Sequence, residues 1–475
     1  MASTHSMAGA GGWIASLFLV VFSITGCVGQ SNPRGTPAPE ARVFVGNTNG
    51  TVSVIEHRDA ANTLAASIDL FSSVGDMASS TRNHLFVNLG STNQTAALDP
   101  IGASATFKKF IQVGQRPVHI YRESPDGTRI WVLNDSDSKT GVDTVTPACN
   151  TAQAGSVSVI QNHDEGGDET GNAGAVLATI CVGKGHHKAA FSVPGAAGSP
   201  AETVPIRAFV SSIKDGTITV IDNDPASTNY LKVISTINLC DQSKEPATTP
   251  PTVCPAVPNS AGPHGMFYSP VSGKIYNNNE TYGTVNVINP SFDPAAPSSA
   301  IEQTFDLGAG LAGATYLSPD GRFIIVRGAQ SNASGVTGKL TVIDVTNNSR
   351  TTVDLPNVNP ADLVFTSDGK TLYIPSAGSA TPAAGQKSNV VLVFDSTALP
   401  ALTPTAEIAV GATAAGRALG ILEHGGAATE VFVTNRADGT VSVIDAGTNA
   451  VVDTLQIGGT PTSLLVFPME ENLAH

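Results

Sequence analysis

The stretch Val431-Phe-Val-Thr-Asn435 is followed by Gly439-Thr-Val-Ser-Val-Ile-Asp445, Val451-Val-Asp-Thr-Leu-Gln-Ile457 and Gly458-Gly-Thr-Pro461, and a last apolar run ends at Phe467. Each run is short and rich in β-branched residues, with Gly, Asn, Asp or Pro between runs, so the runs read as strands and the gaps as turns. The same order recurs upstream. The strand ending in Ile-Asp or its equivalent returns as Val52–Glu56, Ala96–Asp99, Val157–Gln161, Ile218–Asp222, Val285–Asn289, Leu340–Asp344 and Val391–Asp395, with successive ends 43 to 67 residues apart. Turns such as Pro125-Asp-Gly127, Pro319-Asp-Gly321 and Ser367-Asp-Gly369 precede the strand before it; Pro early and Gly late in a tight reversal supply the required φ angles.

A four-strand unit of this size cannot bury both of its faces alone, and radial stacking of such sheets solves the problem while leaving short edges. The expected fold is therefore all-β: a β-propeller of eight four-stranded blades, with seven as the alternative because the first two units are the most degenerate. The chain starts on a second strand and ends on a first one. That phase predicts a ring closed by pairing of the C-terminal strand with the N-terminal blade.

Composition agrees. The 475 residues are 41% hydrophobic but only 13% charged, with 47 Gly and 30 Pro, which suits many short strands and turns. A net charge of −14 argues against a nucleic-acid partner and against anionic lipid, both of which need a cationic surface. Two Trp, at 13 and 131, leave no tryptophan-rich repeat, and no CxxCH for haem attachment occurs. Catalytic signatures such as GxSxG, HExxH, the P-loop and the Rossmann fingerprint are also missing, so an enzyme is not the first expectation.

Residues 13–26 form an apolar run of the length of a signal-peptide core, ending in Ile24-Thr25-Gly26-Cys27. This tetrapeptide resembles the bacterial lipoprotein box, which implies cleavage before Cys27 and lipidation of its sulfur. The expected organisation is a lipoprotein signal peptide over 1–26, a flexible tether over 27–41, one propeller domain over 42–468 and a tail over 469–475. The expected location is extracytoplasmic, tethered by lipid to a bacterial membrane on its periplasmic side or at the cell surface. Four cysteines remain, Cys149, Cys181, Cys240 and Cys254, an even number that suggests two disulfides in an oxidising compartment, with three connectivities open.

The repeat over residues 42–468, best developed in Val433-Thr434-Asn435, Gly439–Asp445 and the Pro-Asp-Gly turns, resembles the YVTN-type β-propeller family of bacterial and archaeal surface and periplasmic proteins. The resemblance implies the architecture and little about activity, since that family is functionally mixed. In such a fold the long insertions 135–154, 239–262, 328–338 and 376–389 share one face. Pairing Cys149 with Cys181 and Cys240 with Cys254 then fits these loops.

Aligning the channel-lining strands places a histidine at the start of three consecutive units: His119, His187 (with His186 beside it) and His264. Asp76, Gly313, Ala361 and Thr462 occupy the matching positions elsewhere. Neutral imidazoles suit zinc or copper, and three of them with an open position would support metal storage or Lewis-acid chemistry. The competing expectation is that these histidines pack loops, as Pro-His-Gly does in many copies of the repeat. Asn134-Asp135-Ser136-Asp137 and the acidic segment 164–169 are weaker candidates, for Ca²⁺. The first functional expectation is a binding or scaffold module offering its looped face to a protein, glycan or small ligand, and the second is a copper- or zinc-binding, redox-associated propeller.

Overall fold

The second and third strands of the repeat have to hide both faces, and they do so between neighbouring sheets. In the computed structural model, Ala41–Asn47 is buried along its whole length, as is Thr284–Ile288, whereas the fourth-position strand Thr106–Gln112 is exposed at all but one residue. The structure describes residues 39–468 apart from 81–83, 102, 124–126, 137–144, 146–148, 150–154, 163–173, 333–334, 379–382 and 414–415. Cys27, the leader, most of the tether, the tail and the acidic segment 164–169 lie outside the described residues.

The described strands form eight four-stranded antiparallel sheets arranged as the blades of a propeller. Blade 1 combines Pro461–Pro468 as its inner strand with Ala41–Asn47, Thr51–Arg58 and Ala61–Asp69. Blades 2 to 8 follow in chain order, with inner strands Val74–Ser79, Pro117–Arg122, Ala189–Ser192, Pro263–Ser269, Ala314–Leu317, Val364–Phe365 and Leu419–His424. The ring closes as the phase of the repeat requires: Ala41 pairs with Pro468 and Val43 with Val466, and the rings of Phe44 and Phe467 meet edge to face. Eight blades is the count, and seven is excluded.

Separate apolar layers lie between adjacent blades. Phe86 and Ile111 of blade 2, for example, pack with Ile120, Ile130 and Val132 of blade 3. The repeat's terminal asparagine has a structural task. Asn435 donates from Nδ2 to Thr440 Oγ1 at 2.9 Å and Ser442 Oγ at 2.8 Å, locking the second strand of blade 8 to its third. Asn47 does the same with Thr51 and Ser53, and Asn134 with Ser156 and Ser158. A buried amide that finds two hydroxyl acceptors in the next strand explains why the motif couples Asn to Thr-x-Ser.

Disulfides join Cys149 to Cys181 and Cys240 to Cys254, so the sequence-order pairing is the one adopted. Such bridges persist in oxidising, extracytoplasmic surroundings. Among the described residues, no helix is long and apolar enough to cross a membrane. One expected loop, 328–338, is largely strand: Phe323–Asn332 and Gly335–Asp344 pair to their ends, lengthening the middle of blade 6 beyond its neighbours.

Candidate functional site

Inner strands begin at the face that also carries the disulfide-linked segments, and their first residues rim the central channel. Several of these starts are irregular. Register shifts between Val74 and Met77, and between Pro263 and Gly265, leave Asp76 and His264 outside the regular pairing. Bulges of this kind re-aim side chains, here at the start of a channel strand. His119 lies just past a third shift, and His186 precedes the inner strand of blade 4.

The structure brings His119, His186 and His264 together. The rings of His119 and His186 are 4.6 Å apart between centroids, and those of His186 and His264 are 5.2 Å apart. Their side chains remain between 18% and 27% exposed, so the cluster is reachable from the channel mouth. His187 does not join it. Its fully buried ring donates from Nε2 to Gly183 O at 2.7 Å and sets Nδ1 3.3 Å from Asp135 Oδ1. Of the adjacent pair, His186 faces the channel and His187 packs the blade.

In each member of the trio, Nδ1 is engaged. His119 Nδ1 lies 3.1 Å from Asp76 Oδ2, and His186 Nδ1 2.8 Å from Asp135 Oδ2. His264 Nδ1 donates to Gly313 O at 2.8 Å, with Glu280 Oε2 3.6 Å away. Burial opposes ionisation of Asp135, but hydrogen bonds from His186 and His187 outweigh it and hold its carboxyl well below the usual carboxylate range. Burial likewise opposes ionisation of Asp76, and the His119 hydrogen bond still lowers it. Asp135 favours the Nδ1–H tautomer of His186, which leaves its Nε2 as a lone-pair donor, while at His119 the Asp76 carboxylate and the Lys188 ammonium meet the same Nδ1.

The Nε2 atoms of His119 and His186 face each other at 2.9 Å. Lone pairs on both would repel at that distance, so the arrangement calls for a proton or a cation between them. Burial, the largest influence, pushes His119 down to about 4 despite the Asp76 hydrogen bond, leaving it neutral at ordinary pH. Burial also lowers His264. His264 Nε2 has no hydrogen-bond partner among the described residues.

As they stand, no three His, Cys, Asp or Glu side chains among the described residues enclose a point at metal-ligand distances. Nitrogens bound at ~2.0–2.1 Å to a tetrahedral ion are ~3.3 Å apart. The 2.9 Å separation of His119 and His186 therefore has to widen by a few tenths of an ångström, a small ring rotation. Of the 134–137 segment, Asp137 lies outside the described residues, Asp135 is engaged by the two histidines, and Asn134 donates from Nδ2 to Ser156 and Ser158. Beside the trio, Lys188 Nζ lies 3.3 Å from His119 Nδ1. The alignment had already marked Asp76, whereas nothing in the sequence singled out Lys188 or the carbonyl of Gly313 as a partner of these imidazoles.

No family model matches the chain, and no curated protein does. Solved structures do. The chain is similar to apo AztD from Citrobacter koseri (TM-score 0.52, 12% identity, 90% of this chain and 98% of that one). It is also similar to Sqt1 from Saccharomyces cerevisiae (TM-score 0.54, 12% identity, 84% and 90%). A third is a Bacteroides fragilis protein with the provisional name 6-phosphogluconolactonase (TM-score 0.50, 14% identity, 90% and 98%). At these identities the likeness establishes the propeller fold and nothing finer.

Proposed function

We propose that the protein is an extracytoplasmic metal-binding module that holds one divalent transition-metal ion, zinc foremost, on His119, His186 and His264. One observation carries the reading: Asp76, Asp135 and the Gly313 carbonyl each engage the Nδ1 of one imidazole, which leaves three Nε2 atoms in one cluster, two of them 2.9 Å apart. Imidazoles oriented by carboxylates and carbonyls are the usual second layer of zinc and copper sites. Strands of three neighbouring blades present them from a curved wall, which suits a facial, tetrahedral set with one open position better than a square-planar one. Asp76 and Asp135 bring two negative charges against the dication, while Lys188 opposes it from the side.

The repeat's resemblance to the YVTN type and the lipoprotein-like box at Ile24–Cys27 support a surface- or periplasm-facing location with a lipid tether. No chemistry beyond binding is assigned. The test is metal analysis of the purified full chain followed by Zn²⁺ and Cu²⁺ titration. The expected result is one equivalent per chain, with His119→Ala and His264→Ala each abolishing stoichiometric binding. A chain that takes up no metal, or binds it equally well after both substitutions, refutes the reading and returns the looped face to a protein, glycan or small-molecule partner.

A further inference from the structure

Below the imidazoles, a cavity of about 510 Å³ follows the inner strands of blades 3 to 6. Its chemistry is the reverse of the molecule's. The chain carries a net charge of −14, yet Arg122, Lys188 and Arg327 line this cavity against a single acid, Asp362. Lys188 forms no salt bridge among the described residues; its Nζ touches only His119 Nδ1, at 3.3 Å. Arg327 donates from Nε to Tyr316 OH and from Nη1 to Pro360 O, both at 3.0 Å, and its Nη2 has no partner among the described residues. Asp362 compensates weakly, because burial raises its carboxyl.

The walls are aromatic. Phe267 leaves 39% of its surface exposed although it lies on an inner strand, and its ring runs nearly parallel to Tyr316 at 6.4 Å. Tyr121 and Phe191 add further flat apolar surface. An exposed ring inside a cavity of ligand size, next to two cations that form no salt bridge among the described residues, is a binding surface for a flat apolar body with one acidic end.

We propose that this cavity binds a small aromatic monocarboxylate, its carboxylate on Lys188 and Arg327 and its ring against Phe267 and Tyr316. The aromatic walls and the size of the cavity suit a small anion that carries a ring over a bare one such as phosphate. The proposal does not depend on metal at the histidines.

The experiment is calorimetric titration of the full chain, held metal-free by a chelator, with phenylacetate, the uncharged isostere phenylacetamide, and inorganic phosphate. Phenylacetate is expected to bind at one site with a dissociation constant of about 1 mM or tighter, which is in range for so small a ligand. Phenylacetamide and phosphate should be weaker by about tenfold or more, since a charge-assisted contact is lost or the aromatic wall is unused. Lys188→Met should weaken phenylacetate by about tenfold or more and leave phenylacetamide unchanged. Arg327→Gln gives a second reading with the same expectation, provided its thermal unfolding matches the parent. Absence of saturable phenylacetate binding, equal binding of the amide or of phosphate, or full affinity in Lys188→Met would overturn the proposal.

Discussion

Replacing Asp135 tests how far the imidazole cluster depends on one buried carboxylate. Asp135 is 3% exposed, accepts from His186 Nδ1 at 2.8 Å and lies 3.3 Å from His187 Nδ1. Asp135→Ala removes the group that sets the tautomer of His186, so its Nε2 is no longer held as a free lone pair directed at His119. Loss of a carboxylate behind a ligating histidine costs roughly 10–100-fold in metal affinity. Asp135→Asn keeps an oxygen that can accept from His186 while it removes the charge and turns the oxygen facing His187 into an NH2 donor, so its loss should be smaller, about tenfold or less. Stability should follow the same order. A hydrogen bond to a buried charged group is worth about 1.5–3 kcal/mol, so the Ala variant should unfold ~2–3 kcal/mol more easily at neutral pH. The sign with pH is defined: the folded carboxyl lies below its unfolded value, so its contribution is present above the unfolded pKa near ~3.9 and is lost as pH falls through the folded one. The Ala variant should therefore show a flatter acid limb. Competition titration with Zn²⁺ and urea unfolding between pH 3 and 7 provide both readouts. A folded Ala variant that binds zinc as tightly as the parent would refute the role assigned to Asp135.

Three further outcomes follow from the ring itself. His57 of blade 1 meets Glu430 of blade 8 at 3.1 Å, and that hydrogen bond, the largest influence, raises the imidazole; its stabilisation is complete below the unfolded pKa near ~6.5 and lost as pH rises through the higher folded value, so His57→Gln should flatten unfolding midpoints measured from pH 6 to 9. Asn435→Ala removes two strand-locking bonds and the acceptor for Arg417 Nη1 at 2.7 Å, whereas Asn47→Ala removes no bond to an arginine; urea unfolding should show losses of about 3–5 and about 2 kcal/mol respectively. Removing Cys149–Cys181, with a sequence separation of 32, by Cys→Ala substitution should lower stability by about 4 kcal/mol, against about 3 for Cys240–Cys254 with a separation of 14, so the first pair's variant should show the larger fall in denaturant midpoint.

The architecture was legible because every blade repeats one local instruction. A continuous apolar second strand, a turn, and a Thr-x-Ser or equivalent third strand are set by burial on both faces, and Asn435 with Thr440 and Ser442 displays the chemistry behind the pattern. The degenerate early units concealed nothing essential, since Leu85–Leu89 is as buried as its better-formed counterparts. The histidine positions were legible for the same reason, as they sit at one phase of the repeat. What the repeat could not convey was which of His186 and His187 faces the channel, because the residues precede the strand and no alternation constrains them. The partners were equally hidden. Asp76 is 43 residues from His119 and Asp135 is 51 from His186, contacts made only once blades are stacked. The bulges that release Asp76 and His264 do carry a mark, Gly75 before the first and Pro263 and Gly265 around the second, but glycine and proline are so frequent in this chain that the mark could not be read as a bulge.

That dependence on stacking bears on why a ring carries such a site. Asp76 belongs to blade 2 and holds a histidine of blade 3; Asp135 belongs to blade 3 and holds one at the start of blade 4; Gly313, at the start of blade 6, holds His264 of blade 5. Each imidazole is thus oriented by a neighbouring sheet. The distance between nitrogens then depends on how blades seat against one another as well as on the short connections that carry Asp135 and His186. An ion held by three imidazoles would tie together the three blades that carry them, and by linkage its binding would stabilise the folded ring.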